Sequence, residues 1–305
     1  MKPWLLKCHR WLALVFALPL LVVIGTGIIL AFEPITVMSA IKPGTLTADK
    51  IGQALARHDA SGQARVLTHR SYEGTLTIAV GRGGGIRVDT ANGGFVDKSG
   101  VWAEVLLTSR RLHETLLLDM TWLVIASSFV MLALTALGVL MGWPRLSNTL
   151  SGWHKGLAWG LLPLLVLSPL TGLFLAYGIT FASPPSQSAG ASAQLRLGDA
   201  VRVAGAKHDL SGLVWLRPQG GSMAMRIVEG GEYRVYSVTA EGTTLRPRNW
   251  PRLWHEGNFG GIVSALPNVV AGLAAMALLI TGIWIWAGRQ LRLRARRAAR
   301  VVEPA

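Results

Sequence analysis

The sequence has few charged residues and almost no cysteine. Only 15% of its 305 residues are charged, whereas 51% are hydrophobic. A soluble chain normally carries about a quarter charged residues, so the balance excludes an ordinary soluble globule. The one cysteine, Cys8, excludes an internal disulfide framework, an iron-sulfur cluster, a four-cysteine zinc site and the CxxCH attachment of c-type haem. Any redox cofactor must therefore be held without cysteine.

Acidic residues are also scarce, since 16 Asp and Glu stand against 30 Lys and Arg. Excess positive charge can indicate nucleic-acid binding, but no soluble segment of the sequence carries a basic stripe with interleaved aromatic residues. Many basic residues instead flank long apolar runs, as membrane topology requires. The composition therefore predicts a lipid bilayer as partner and no nucleic acid.

What the chain does have is four long apolar runs. Each reaches the ~20 residues that a helix needs to cross the hydrocarbon, and they lie at 11–32, 121–143, 157–181 and 262–287. The first run follows basic residues like a signal peptide, but it is too long and no small-residue cleavage site follows, so we expect a retained signal anchor. Local bends are expected at the prolines within the spans, Pro19, Pro163, Pro169 and Pro267.

Basic residues set the orientation of these spans. Arg145 and Lys155 lie near the short second connection and six arginines follow the last span, so these ends, and with them both termini, are predicted to be cytoplasmic. The predicted order is a first span at 1–32, an outside domain at 33–112, a second span at 113–143, a cytoplasmic loop at 144–153, a third span at 154–181, a second outside domain at 182–253, a fourth span at 254–288 and a basic cytoplasmic tail at 289–305.

The two outside segments share one pattern of predicted elements. Each has a short amphipathic helix followed by two strands around a glycine-rich turn. The first segment has its helix at 47–57 and strands at 76–80 and 86–90, and the second has its helix at 197–207 and strands at 223–228 and 233–239. We expect two small α+β extracytoplasmic domains.

The chain also contains an internal repeat. HRWLA at 9–13 aligns with HKGLA at 154–158, and TGIILAF at 26–32 aligns with TGLFLAY at 171–177. HDxSG at 58–62 recurs at 208–212, and His-Glu at 113–114 recurs at 255–256. Each copy runs helix, outside domain, helix. The fold class is therefore predicted as membrane α-helical, with four transmembrane helices in two parallel repeats about an axis along the membrane normal.

Four of the seven histidines lie at span ends, in two pairs that the repeat places at equal depth. His9 and His154 begin the first and third spans on the cytoplasmic side, and His113 and His255 begin the second and fourth spans on the outer side. Imidazoles are costly in hydrocarbon without partners, and paired imidazoles from facing helices are natural axial ligands of haem iron. The pattern predicts two haem b groups, an inner one on His9 and His154 and an outer one on His113 and His255.

Basic residues beside both histidine pairs can bind the haem propionates. They are Arg10 and Lys155 at the inner pair, and Arg110, Arg111 and Arg252 at the outer pair. One turn beyond the inner histidines, Ala13 and Ala158 are small and leave room for a flat porphyrin.

The span-end histidines also fit two roles that need no haem. Interfacial histidines can simply extend toward lipid headgroups. Two histidines with Glu114 or Glu256 can also bind zinc or iron, although adjacent helical residues point about 100° apart and do not easily reach one ion. The duplicated His58 and His208 of HDxSG are explained by capping of a helix C-terminus.

At these residues the chain resembles the PepSY-associated transmembrane-helix proteins, iron-regulated membrane proteins that include inner-membrane siderophore-iron reductases. The resemblance rests on HRWLAL at 9–14, TGIILAF at 26–32, RVDTANGGFV at 87–96, RLHE at 111–114, GWHKGLAWGLLPLL at 152–165, LWHEGNFGG at 253–261 and TGIWIWAGR at 281–289. It implies PepSY-like outside domains, two b haems and a multi-pass protein of the bacterial inner (cytoplasmic) membrane that reduces a ferric siderophore or other ferric chelate. The electron donor would be a cytoplasmic reductase or a quinol.

The expected function is thus that of a haem-dependent ferric-siderophore oxidoreductase. Iron held by two histidines has no vacant site, which favours electron transfer over oxygen chemistry. The alternative is a cofactor-free membrane scaffold or sensor whose PepSY-like domains bind a peptide or protein. A metal permease is disfavoured because no carboxylate or histidine lies in the middle of a span.

Overall fold

The computed structural model describes residues 3–81, 84–116, 119–144, 147–182 and 195–302, with side chains as far as Arg297. The chain divides into two compact units. We call them the helical unit (Met1–Ala31, Thr108–Ile179 and Pro267–Ala305) and the sheet unit (Phe32–Leu107 and Thr180–Leu266). Arg145, one of the residues on which the predicted orientation rests, lies outside the described residues.

The α-helices of the described residues are numbered in chain order. They are α1 (Pro3–Val15), α2 (Ala17–Ala31), α3 (Glu33–Ala40), α4 (Ala48–His58), α5 (Val101–Thr115), α6 (Thr121–Leu140), α7 (Leu150–Gly160), α8 (Leu162–Ala176), α9 (Leu197–Gly205), α10 (Trp250–Glu256) and α11 (Leu266–Val302). Short 3-10 turns lie at Leu210–Gly212 and Ile262–Ala265.

Three helical stretches are long and apolar enough to cross a membrane: Ala17–Ala40, Thr121–Leu140 and Ile262–Arg297. Helices α7 and α8 pass the same test together, but they are bent by 63° at the break between them. The described residues therefore contain three candidate spans, or four if the bent pair is one span. The arrangement of these helices as two parallel repeats stays a prediction.

Prolines explain where several of these helices begin. Pro163 and Pro267 are the second residues of α8 and α11, and Pro19 is the third residue of α2. Proline lacks an N–H group and fixes φ, so it fits the first turn of a helix and disrupts the interior. Pro169 lies inside α8. Three of the four prolines at which we expected a bend, Pro19, Pro163 and Pro267, thus lie in the first turn of a helix.

The core of the helical unit is small and its surface is strongly apolar. The core side chains come from α2, α6, α8 and α11 and are Leu20, Ile24, Val130, Leu165, Ala274, Ala275 and Leu279. Outside this core, Leu18 is 71% exposed and Trp284 is 70% exposed. Large apolar surfaces of this kind need an apolar environment, in agreement with a membrane protein.

The sheet unit contains one antiparallel sheet to which both of the predicted outside segments contribute. Its strands are β1 (Val66–Arg70), β2 (Thr75–Ala79), β3 (Ile86–Asp89), β4 (Leu213–Gln219), β5 (Ser222–Glu229), β6 (Glu232–Thr239) and β7 (Gly242–Leu245). Their spatial order is β3-β2-β1-β4-β5-β6-β7. Strand β1 meets β4 with Leu67 opposite Leu216, which joins the first segment to the second.

This joining corrects the expectation of two separate small domains. Either segment alone would leave β1 or β4 as an edge strand with unpaired backbone groups, and sheets of this size are marginal by themselves. Pairing β1 with β4 gives the backbone groups of both edge strands hydrogen-bond partners. It also gives one shared core, in which Ile51 of α4 and Val201 of α9 pack with Leu67 and Leu216.

The predicted helices of the two segments correspond to α4 and α9, and the predicted strand pairs to β2–β3 and β5–β6. Strands β1, β4 and β7 were not predicted because they mix apolar with polar or proline residues. The second HDxSG copy also joins the segments: the Asp209 carboxylate accepts from the Gly44 N–H (3.0 Å) and Ser211 Oγ accepts from the Leu46 N–H (3.1 Å).

Candidate functional site

The two predicted inner histidines come together in the helical unit. His9 lies on α1 and His154 on α7, and the two imidazoles are near enough that a positive charge on one would repel a positive charge on the other. Both side chains are half-buried. The structure therefore brings together this pair of predicted site residues.

Hydrogen bonds fix the proton on one nitrogen of each inner imidazole. His9 Nδ1 donates to the Leu134 carbonyl oxygen (3.2 Å), which can only accept. His154 Nδ1 lies 2.8 Å from Thr281 Oγ1, and this hydroxyl already donates its hydrogen to the Ala277 carbonyl oxygen (2.6 Å). It must therefore accept from His154. Both neutral rings carry hydrogen on Nδ1 and keep a lone pair on Nε2.

His113 on α5 has the same arrangement. Its Nδ1 donates to the Val23 carbonyl oxygen (3.0 Å) and lies 3.3 Å from Thr26 Oγ1, a hydroxyl that donates to the Val22 carbonyl oxygen (2.7 Å). The ring packs so closely on Gly27 that a Cβ there would lie 3.1 Å from His113 Cε1. A neutral His113 therefore also carries its hydrogen on Nδ1.

Sequence reasoning missed the hydroxyl groups that support these histidines. A Thr-Gly pair recurs at 26–27, 171–172 and 281–282. Thr26 and Thr281 contact histidine Nδ1, and Gly27 and Gly282 lie against the same rings. The repeated Thr-Gly pair was a signal that could have identified them.

The outer pair is divided between the two units. His113 belongs to the helical unit, whereas half-buried His255 lies on α10 in the sheet unit. The Asn249 side chain caps α10 by accepting from the Arg252 N–H (3.0 Å), which fixes the start of the helix ahead of His255. The pairing of His113 with His255 stays a prediction.

The predicted propionate partners differ in their exposure and in whether another residue already binds them. The Nε of Arg10 is buried and has no hydrogen-bond partner among the described residues, so it suits an anionic oxygen. Lys155 and Arg111 are exposed. Arg252 instead bonds to Glu256 (2.9 Å), so its guanidinium is already engaged by a carboxylate.

A non-haem metal site finds little support. Within the part of the chain that the structure describes, no group of three or more His, Cys, Asp or Glu residues could hold a metal ion. Glu114 lies 3.7 Å from Arg110, and Glu256 bonds to Arg226 and Arg252. Both glutamates of the His-Glu pairs are thus paired with arginine.

Two histidines of the sheet unit, His58 and His208, use their ring nitrogens differently from the histidines of the helical unit. His208 Nδ1 bonds to Glu229 Oε1 (2.5 Å) and its Nε2 to Thr243 Oγ1 (2.8 Å), and its ring packs on Tyr236 with centroids 4.4 Å apart. His58 Nε2 donates to the Gly93 carbonyl oxygen (3.0 Å). His58 ends α4, as capping requires, but His208 lies beyond the end of α9, so capping does not explain it.

Two shifted pKa values accompany these contacts. Burial acts to raise the pKa of Glu229, but hydrogen bonds from Tyr236 and His208 outweigh it and hold the pKa below its ordinary value. Burial lowers the pKa of His69, although its Nδ1 donates to the Leu213 carbonyl oxygen (3.1 Å). His69 is therefore neutral at physiological pH.

The arrangement at the inner pair suits haem iron. Iron ligands of this type need neutral imidazoles with a free Nε2 lone pair, and an acceptor on Nδ1–H orients the ring and makes it more basic. His9 and His154 meet these requirements, and the unpartnered Nε of Arg10, the residue after His9 in the chain, suits a propionate.

Comparison with known proteins gives one family. The family model of the PepSY-associated TM region matches residues 6–289. No curated protein matches the chain. The matched range includes all four span-end histidines and the whole sheet unit. The chain therefore belongs to the family of the PepSY-associated TM region and is a membrane protein.

Proposed function

We propose that this protein carries electrons across the bacterial inner membrane, from the cytoplasmic side to a ferric chelate outside, by means of two haem b groups. Family membership suggests a membrane protein of the iron-regulated type. The transfer of electrons, its direction and its acceptor are our proposal.

One observation carries it: three of the four span-end histidines donate from Nδ1 to an oxygen atom of another helix. A histidine that merely extends toward headgroups has no need of such a partner. His9 and His154 also make comparable contacts, since each bonds to the predicted second span of its own copy, His9 to the Leu134 carbonyl oxygen on α6 and His154 to the Thr281 hydroxyl on α11.

Bound haem would supply a one-electron couple, and the protein would supply its ligands and surroundings. His9 and His154 would hold the inner haem, with Arg10 and Lys155 near its propionates. His113 and His255 would hold the outer haem, with Arg111 and Arg252 nearby. Two histidines per iron would leave no vacant position for oxygen. The hydrogen bonds on Nδ1 would keep the rings of His9, His113 and His154 in one orientation.

The direction follows from the distribution of basic residues. The arginine-rich end of the chain and Lys155 favour a cytoplasmic location for both termini and for the inner histidines. A cytoplasmic reductase or a quinol would then donate electrons at His9 and His154. The ferric chelate would be the acceptor on the side of His113 and His255, where reduction weakens the hold of an oxygen-donor chelator on iron.

The test is the absorbance spectrum and haem content of the detergent-purified protein. We expect a red protein with a reducible low-spin b-type spectrum and about two haems per chain. Dithionite-reduced protein should be reoxidised by ferric chelates, and His255→Ala should abolish that reoxidation while the inner haem is still reduced. A colourless protein from haem-replete cells would leave the scaffold or sensor function instead.

A further inference from the structure

A small cleft in the sheet unit is lined by arginine. It has a volume of about 60 Å³ and lies between β5, β6 and the segment that runs from the end of β7 into α10. Five arginines line it: Arg226, Arg234, Arg246, Arg248 and Arg252. Among the described lining residues, Glu232 is the acidic one.

Four of these arginines share two carboxylates. Arg234 and Arg248 bond to Glu232, and Arg226 and Arg252 bond to Glu256. Each carboxylate thus faces two guanidinium groups, so the cleft keeps a net positive charge even before the fifth arginine is considered. Clefts of one charge sign attract ligands of the opposite sign.

Arg246 is the fifth arginine, and its partners are neutral. Its Nε donates to Ser237 Oγ (2.8 Å), and its Nη2 donates to the Gln219 carbonyl oxygen (3.1 Å) and to Ser222 Oγ (3.2 Å). Its Nη1 has no hydrogen-bond partner among the described residues. Burial lowers the pKa of Arg246, as expected for a desolvated guanidinium without a carboxylate. The side chain is thus held in place with its charge unneutralised.

We propose that this cleft binds one carboxylate group of an anionic ligand, and that it selects ferric chelates that keep a free carboxylate as electron acceptors. The guanidinium fork matches a carboxylate, which can accept two parallel hydrogen bonds. A volume of about 60 Å³ holds only a few water molecules. It therefore admits one such group and leaves the rest of the ligand outside.

The position of the cleft connects it to the proposed function. Arg252 and Leu253, which line the cleft, lie on α10, the short helix that also carries His255. A chelate held there would lie beside the helix of a proposed outer haem ligand. The assignment of this ligand as an electron acceptor rests on the proposed function, whereas the binding of a carboxylate does not.

Citrate is the probe for binding, measured by isothermal titration calorimetry on the full chain in phosphatidylcholine nanodiscs. We expect wild-type protein to bind citrate and Arg246→Gln to bind it at least about tenfold more weakly, because a charge-assisted hydrogen bond is lost. The matched control is Arg217→Gln on β4. Arg217 lies outside the cleft, where its Cζ is 4.3 Å from the centroid of the Trp215 ring. This variant should bind citrate as the wild type does. Uncharged trimethyl citrate should not bind.

Absence of citrate binding by wild type, or equal binding by Arg246→Gln, would overturn the inference. If Arg246→Gln does not fold, a second variant tests the cleft. Arg234 is a half-buried lining residue, and Arg234→Gln should still weaken citrate binding several-fold. The phosphate of a lipid headgroup is also an oxyanion that a guanidinium can bind. The titration is therefore repeated in nanodiscs made of equal parts of phosphatidylcholine and phosphatidylglycerol. Loss of citrate binding in those nanodiscs would assign the cleft to lipid and overturn the chelate proposal.

Reoxidation kinetics separate this inference from the proposed function. With ferric citrate as acceptor, Arg246→Gln should raise the half-saturating concentration by about the factor seen in binding and leave the saturating rate unchanged. Citrate binding by a colourless protein would refute the haem proposal alone. A red protein that reduces ferric citrate without binding citrate at Arg246 would refute the cleft alone.

Discussion

The histidines of the helical unit and the two HDxSG histidines of the sheet unit, His58 and His208, use their ring nitrogens in different ways. His9, His113 and His154 in the helical unit donate from Nδ1, and His9 and His154 keep a lone pair on Nε2. In the sheet unit, His208 engages both ring nitrogens and His58 donates from Nε2. Both kinds of histidine are duplicated in the sequence. Duplication alone therefore does not distinguish a candidate ligand from a structural histidine, whereas the hydrogen bonds do.

His69 shows the limit of this rule. It lies in the sheet unit, and its Nδ1 donates to the Leu213 carbonyl oxygen as the helical-unit histidines do. The HDxSG repeat, however, places Gln219 at the corresponding position of the second copy. A haem ligated by two histidines needs a second imidazole. The Nδ1 contact and the duplication together mark His9, His113 and His154 as candidate ligands, whereas His255 is a candidate by its duplication with His113.

The largest expected effect is loss of a haem. His9→Ala or His154→Ala should lower the haem content from about two to about one per chain, because one axial ligand pair is broken. The pyridine haemochrome assay measures this content. His208→Ala and His69→Gln are the controls, and both should keep the wild-type haem content. If His208→Ala or His69→Gln lost haem and His9→Ala and His154→Ala did not, the contrast between these two groups of histidines would be wrong.

The second-largest effect concerns the groups that accept a hydrogen bond from histidine Nδ1. Thr281→Val leaves His154 Nδ1–H without its acceptor, so haem affinity at the inner site should fall about 10- to 100-fold. Thr281→Ser keeps the hydroxyl and is the matched control. Thr26→Val should cost less at the outer site, because His113 keeps the Val23 carbonyl oxygen. Haem transfer to apomyoglobin gives the relative affinities, and equal losses in Thr281→Val and Thr281→Ser would argue against the hydroxyl's role.

A smaller effect is expected in the stability of the sheet unit. Glu229→Gln removes the carboxylate that His208 and Tyr236 bind, and at neutral pH it should lower the free energy of unfolding by about 1–3 kcal/mol without loss of haem. Thermal unfolding followed by tryptophan fluorescence measures the change. Glu104→Gln, at an exposed position on α5, is the control and should be neutral.

The pH dependence of this effect has a definite sign. The folded-state pKa of Glu229 lies below its ordinary value of 4.5. Its stabilisation is therefore fully present above that value and is lost as the pH falls through the folded-state pKa. The difference between wild type and Glu229→Gln should shrink in acid. A difference that grew on acidification would contradict the assigned contact.

The smallest effect separates the two glycines behind the histidine rings. A Cβ at Gly27 would lie 3.1 Å from His113 Cε1, whereas one at Gly282 would lie 3.5 Å from His154 Cε1, an ordinary contact. Gly27→Ala should therefore shift the reduction potential of the outer haem, and Gly282→Ala should leave the inner one nearly unchanged. Spectroelectrochemical titration measures both potentials. A larger shift in Gly282→Ala would reverse the comparison.

Sequence patterns anticipated much of the local structure. Apolar runs identified the candidate spans, and the amphipathic pattern of 47–57 and 197–207 identified α4 and α9. The same reasoning failed for β1 and β4, since VLTHR and LVWLRPQ have no clear alternation. It also failed to assign Thr281 and Thr26 as partners of histidine, because each contact depends on which turn of one helix meets another.

The sequence by itself determined that the chain needs a bilayer, that several of its motifs recur at a nearly constant spacing and that histidines are among the recurring residues. These properties depend on composition, run length and spacing, which act locally along the chain. Only the tertiary structure decided that the two predicted outside segments share one sheet and that Arg246 has neutral partners. It also decided which nitrogen of each histidine carries the hydrogen. These properties depend on groups far apart in sequence, such as Leu67 with Leu216 and His154 with Thr281, whose contacts exist only after the chain has folded.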